Sequence, residues 1–254
     1  MTMLPRTIPM LLLKNKGLYK TRQFKDPKYV GDPVNAVRIF NDKEVDELSI
    51  VDIDAARGLH EPDIKLLREI SGEAFMPLSF GGGVNNVELV KELISSGFER
   101  VIINSAAVRN PSLINEVVDH FGSSTLIASI DSRRDWRGRH WVHIGGGQEK
   151  TRLQAAEWAA EVARRGAGEI LLTSIDRDGE MSGYDLDLIK QVTSAVRVPV
   201  IAAGGAGKLS DFVDATRNAG ASAIAGGAFF VFHGKHRAVL ISYPPRTVLK
   251  ALWA

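Results

Sequence analysis

Short apolar runs alternate with segments of helical period from one end of the chain to the other. The runs fall at 8–13, 47–52, 76–80, 101–104, 125–131, 169–174, 199–203 and 221–225, and their length and Val, Ile and Leu content predict strands. Between them, residues 33–41, 62–73, 86–95, 112–121, 153–165, 186–195, 209–218 and 245–253 space their apolar positions as helices do. The first of these opens on Asp32-Pro33, a capping residue followed by a proline suited to a first helical turn. Strands joined by helical crossovers pair in parallel. Eight of them in a chain of 254 residues most simply close into a (β/α)8 barrel, with an open doubly wound sheet as the alternative. Two stretches break the alternation. The polar stretch 15–32 reads as a mobile loop, and 132–150, basic, aromatic and glycine-containing, as a long loop or hairpin.

The pattern also repeats at half the chain length. Residues 77–106 and 199–228 each carry an apolar run, a glycine cluster, a helix-period segment, a second apolar run and a small-residue turn. The same offset pairs Glu47 with Glu169, Ile53 with Ile175 and Asp54 with Asp176, so the expected barrel is built from two similar halves. A glycine turn between a strand and a helix lets backbone N–H groups converge on an anion. One such turn is as readily a plain turn; two at equivalent places point to a ligand with a phosphate at each end. No linker or composition break divides residues 1–254, which read as one domain.

Composition narrows the function classes. Lysine and arginine outnumber acids by only two, which argues for neither nucleic acid nor membrane as a partner. The absence of cysteine removes disulfides, thiolate metal sites and thiol nucleophiles, and the six histidines show no metal-ligand spacing; no cofactor is indicated. No apolar run approaches membrane length, and 8–13 is too short for a signal segment. The expectation is a cytoplasmic protein whose chain begins directly in its fold.

In a (β/α)8 barrel the chemistry sits at the C-terminal ends of the strands. There the sequence places Lys20, Asp52, Asp54, Gly82, Gly83, Asn104, Ser105, Asp131, Asp178, Gly179, Gly204, Gly205, Gly226 and Gly227. The strand beginnings carry Arg6, Glu47, Arg100 and Glu169, two charges of each sign that could ring the barrel axis. Solvated charges at strand ends are the plainer reading of that set.

With these residues placed, the chain resembles the HisF family, the cyclase subunit of imidazole glycerol phosphate synthase. The resemblance rests on DPV at 32–34, FGGGV at 80–84, NSAAVRNPSLI at 104–114, GAGEILLTSIDRDG at 166–179, SGYD at 182–185 and AGGAGK at 203–208, within a match from Arg6 to about Phe232. It implies a barrel binding an elongated substrate with two phosphates, one held by Gly82, Gly83, Asn104 and Ser105, the other by Asp178, Gly179, Gly204, Gly205, Gly226 and Gly227. Lys20 would close over the substrate. A HisH-like glutaminase would dock beneath the barrel as the second half of a heterodimer, and ammonia would pass a charged gate of Arg6, Glu47, Arg100 and Glu169, with Arg100 where the family commonly has lysine.

The resemblance also implies two catalytic carboxylates working as general acid and base. Asp131 matches one; Leu12 stands where the other is expected, and leucine can neither donate nor accept a proton. Two further departures are the cluster Arg133, Arg134, Trp136, Arg137, Arg139 and Trp141, suited to a sugar or nucleotide or simply solvated, and an end, FHGKHRAVLISYPP, unlike the family's last helix. Divergent HisF-like proteins are associated with bacterial surface-polysaccharide pathways, where ammonia amidates a nucleotide-linked sugar. The expectation is therefore a HisF-like paralogue in sugar amidation. The alternatives are the histidine-pathway cyclase itself, a non-catalytic conduit passing ammonia to a separate amidating enzyme, and a sugar-phosphate isomerase needing no partner.

Overall fold

Eight strands pair in parallel and close on themselves in the computed structural model, which describes residues 4–253. They are β1 (Arg6–Lys14), β2 (Leu48–Asp52), β3 (Leu78–Gly81), β4 (Arg100–Ile103), β5 (Leu126–Arg134), β6 (Glu169–Ser174), β7 (Val200–Ala203) and β8 (Ala223–Gly226). Each pairs with the next, and β8 returns to β1 with Arg6 opposite Ala223 and Pro9 opposite Gly226. The order closes a barrel, so the (β/α)8 expectation holds and the open sheet does not.

The local chemistry explains where the helices start. Asp32, Asp63, Asn86 and Asp185 each accept a hydrogen bond from the backbone N–H three residues on, opening Pro33–Asp42, Ile64–Gly72, Val87–Ser95 and Leu186–Ala195. Such caps satisfy amides that have no partner within the helix. Asp63 thus starts its helix at Ile64, two residues later than the periodicity of 62–73 suggests.

Alternation along the strands sorts two cores. Leu11 and Leu13 of β1, and Ile170 and Leu172 of β6, face the surrounding helices. Ile8, Ile102, Ile127, Leu171 and Ile201, with Ala203, Ala223 and Ala225, fill the barrel interior. Also in the interior, level with Arg100 in the register, Ser49 and Ser79 share a 2.7 Å hydroxyl contact. Small side chains on β7 and β8 leave the upper interior open, and the cavity described below begins there.

The mobile loop expected over 15–32 is instead a β-hairpin. Gly17–Arg22 continues antiparallel from the end of β1 and pairs with Lys25–Gly31. Its tip is fastened to the loop after β6: Gln23 N–H donates to the Asp178 carbonyl at 2.8 Å, and the Arg22 guanidinium donates twice to the Glu180 carboxylate. The segment 132–150 is a second hairpin, in which β5 runs on to pair antiparallel with His140–Ile144, and that strand with Glu149–Gln154. The last strand takes up the start of the helix expected at 153, which begins at Ala155. The divergent end forms a short ribbon and the helix Arg246–Trp253. Between them, the Tyr243 hydroxyl donates to the Thr7 carbonyl at 3.0 Å at the foot of β1.

Candidate functional site

The barrel top opens into a cavity of about 400 Å³. Every strand-end residue that the sequence assigns to ligand or chemistry at the top lines it: Leu12, Lys20, Gly82, Gly83, Asn104, Ser105, Asp131, Asp178, Gly179, Gly204, Gly205, Gly226 and Gly227. Asp52 and Asp54 do not. Asp52 turns back to accept from the Asp54 and Ala55 amides, and Asp54 pairs with Lys14 at 2.6 Å.

The two glycine turns are held alike. Gly82 has φ +102 and a Cβ there would lie 2.2 Å from the Asp52 carbonyl oxygen; Gly204 has φ +81 and a Cβ would lie 2.5 Å from the Ser174 carbonyl oxygen. The contacts are the same in both halves because the residues sit at the repeat's offset. Only glycine fits both the backbone angle and the approach, so each turn brings its amides against the preceding strand's end.

Asp131 comes from the end of β5, diametrically across the barrel from Leu12 on β1. It accepts a 2.7 Å hydrogen bond from the Asn104 amide. Although some of its surface faces the cavity, enclosure by protein pushes its carboxyl up to about 7. Hydrogen bonds from Thr173, Ser129 and Asn104 pull the other way, and the Asp178 charge adds to the rise. A carboxyl poised there can hold or release a proton near neutrality, which suits a general acid or base. Leu12 offers no such group, and among the described residues Asp131 and Asp178 are the only carboxylates lining the cavity. Asp178 is engaged: it pairs with the buried Lys20 at 2.8 Å and accepts from the Thr21 hydroxyl at 3.0 Å. Lys20 lies against Gly227, where a Cβ would come within 2.9 Å of its side chain.

At the opposite end of the barrel the four charged residues form a closed ring. Arg6 bonds Glu47 at 2.5 Å and Glu169; Arg100 bonds Glu169 at 2.5 Å and Glu47. Each cation touches both anions. Burial pushes the Glu47 carboxyl up, with Arg100 and Arg6 opposing it. The plainer reading of solvated strand-end charges fails here because both glutamates are buried.

Residues 6–236 match the family described as "Histidine biosynthesis protein". The chain is 51% identical over 239 residues to a Pseudomonas aeruginosa protein provisionally named imidazole glycerol phosphate synthase subunit hisF2, covering 94% of this chain and 95% of that one. It is 45% identical over 210 residues to the imidazole glycerol phosphate synthase subunit HisF of Alkaliphilus metalliredigens, covering 83% of each.

The chain belongs to the HisF family.

Family membership accounts for the barrel and for the synthase-subunit character of its relatives. The aromatic and cationic cluster of the second hairpin stays outside the cavity: Trp136 is 85% exposed beneath Arg137, and Asp135 anchors Trp141 and Arg139. Only Gly146 of 132–150 lines the cavity. The sequence reading also passed over Arg57 and Arg109 in the cavity wall, and Thr173 and Ser129 beside Asp131. Placement could have found Thr173, since it is the inward position two beyond Leu171 on β6. Arg57 ends the short helical turn Ala55–Arg57, which has no motif of its own. Among the described residues no cluster of His, Asp and Glu could hold a metal, and no helix is long and apolar enough to cross a membrane.

Proposed function

We propose that the chain is a HisF-like synthase subunit that receives ammonia from a HisH-like glutaminase docked beneath the charged ring and delivers it through the barrel to a phosphorylated acceptor at the top. The acceptor is a sugar, in nucleotide-linked form, amidated in lipopolysaccharide or O-antigen biosynthesis. The observation that carries this reading is the pairing of Leu12 with Asp131 across the cavity. Two glycine cradles fit a ligand with a phosphate at each end, yet one proton-transfer group is left where ring closure with elimination needs two. Loss of an acid or base partner typically costs about 100- to 10,000-fold. Amidation at an activated carbonyl carbon forms the C–N bond, breaks the bond to the activating group, which departs with its electron pair, and needs one base to take the proton that nitrogen sheds; Asp131 is the group placed to take it. A separate amidating enzyme could take the ammonia instead, making the chain a conduit; Asp131→Asn would then leave ammonia delivery intact.

The second reading is the histidine-pathway cyclase, making imidazole glycerol phosphate and the aminoimidazole carboxamide ribotide. The 45% identity to a HisF subunit favours it. Turnover of the histidine-pathway substrate with high ammonium in place of glutaminase separates the two. The expected result is an inert natural chain and a gain of cyclase activity in Leu12→Asp. Turnover of about 1 per second or more by the natural chain, or its rescue of a cyclase-deficient bacterium without histidine, would make it a histidine enzyme.

A further inference from the structure

We infer that Arg57 makes the Gly82–Gly83 end of the cavity a site for two adjacent anionic groups, a diphosphate in place of a single phosphate. The inference deepens the reading of the cavity as one that takes phosphate-ended ligands, and rests on it.

Among the described residues, three cations line the cavity: Lys20, Arg57 and Arg109. Lys20 is neutralised by Asp178, and Arg109 pairs with Glu149 at 3.2 Å. Among the described residues, no carboxylate is recorded in ion-pairing range of Arg57. One of its terminal nitrogens donates to the Phe24 carbonyl at 3.2 Å, while its Nε is buried without an acceptor. A half-buried guanidinium beside an open cavity, with its charge uncompensated, is costly unless a ligand supplies the anion.

Its neighbours reach both halves of the cradle. Ala55, two residues before Arg57, would lie 3.2 Å from a Cβ at Gly83, as would Pro62. On the other side Gly145 N–H donates to the Ser105 hydroxyl at 2.9 Å. The next residue, Gly146, packs so closely on Arg57 that a Cβ would lie 3.0 Å from its Cγ and 3.1 Å from its Nε. The Arg57 side chain is thus packed on Gly146, whose neighbour Gly145 bonds Ser105, and lies two residues along the chain from Ala55 beside Gly83, in the wall of the same cavity. Neutral backbone amides and a hydroxyl suffice for one phosphate. A fixed fork of donors beside them matches the oxygens of a second.

The test is calorimetric titration of the full chain with inorganic phosphate and with inorganic pyrophosphate, for the natural protein, Arg57→Gln, Arg57→Lys and the exposed control Arg22→Gln, with thermal melts to establish folding. The natural chain should bind pyrophosphate at least ten-fold more tightly than phosphate. Arg57→Gln should lose that preference while keeping phosphate affinity within about three-fold, Arg57→Lys should keep part of it, and Arg22→Gln all of it. If Arg57 only braces the hairpin through Phe24, its loss weakens both anions equally, and the inference falls. It falls equally if the natural chain binds pyrophosphate no more tightly than phosphate. The titration uses neither ammonia nor glutaminase. A diphosphate preference without sugar amidation would therefore overturn the proposed function alone, and amidation without the preference would overturn this inference alone.

Discussion

Asp131 concentrates most of what the cavity can do, and its environment has a cost that pH exposes. Its carboxyl titrates near 7 in the folded chain against an ordinary 3.8, chiefly because protein replaces water around it. The folded state therefore holds the proton longer than the unfolded state does. The stability this gives is whole below about pH 4 and is lost as pH rises through about 7, by up to about 4 kcal/mol for a shift of three units. Asp131→Asn, which cannot ionise, should melt together with the natural protein at pH 4 and above it at pH 8. Melting curves that differ by the same amount at every pH would mean that the carboxyl is not held in this way. The variant should also lose about 100- to 10,000-fold in turnover if Asp131 moves the proton. At this scale the sequence was readable where position in the barrel fixed a residue's place, as for Asp131, Lys20 and the glycines, all of which line the cavity. Arg57 was not readable as part of the cavity wall, because its surroundings, Phe24 and Gly146, are brought to it by two distant hairpins.

Among the elements, the hairpin 17–31 differs most from expectation, and the reason is physical. Its outer strand, Lys25–Gly31, is exposed at five successive positions, so no alternation marks it as a strand. What orders it lies at the other side of the barrel. Asp178 accepts from Lys20 and Thr21, and its carbonyl accepts from Gln23; Glu180 accepts from Arg22 and Gln23. No local pattern reports contacts more than 150 residues away in sequence. The two anchors differ in worth. Lys20 and Asp178 are buried, whereas Arg22 is mostly exposed, and exposed pairs contribute only about 0.2 to 1 kcal/mol. Asp178→Ala should therefore raise hydrogen exchange across 17–31 by ten-fold or more with β1–β8 unchanged, and Glu180→Ala by much less. Equal effects would place the anchor in the backbone bond of Gln23, which both variants keep.

Across the whole molecule, two polar constellations stand at opposite ends of one apolar barrel, and the half-length repeat explains why both were legible. Each half supplies one glycine cradle to the top and one glutamate, Glu47 or Glu169, to the bottom, and the cations Arg6 and Arg100 stitch the glutamates together. Arg100 is less exposed than Arg6, at 18% against 34% of its side chain, so its removal strands two buried carboxylates with a single partner. Breaking such a pair costs about 3 to 5 kcal/mol, and Arg100→Ala should lower the melting temperature more than Arg6→Ala does. The functional consequence goes beyond stability. If ammonia enters through the ring, Arg100→Ala should alter glutamine-driven turnover, in complex with the glutaminase, while turnover driven by external ammonium stays near its natural value, because the top cavity and Asp131 are untouched. Arg100→Lys, which restores a charge without a fork able to bridge both glutamates, should recover stability in part and shift the ratio of the two activities less. The ratio is the decisive quantity, since a variant that merely loosens the barrel lowers both activities together. An unchanged ratio in Arg100→Ala would reduce the ring to a structural clamp.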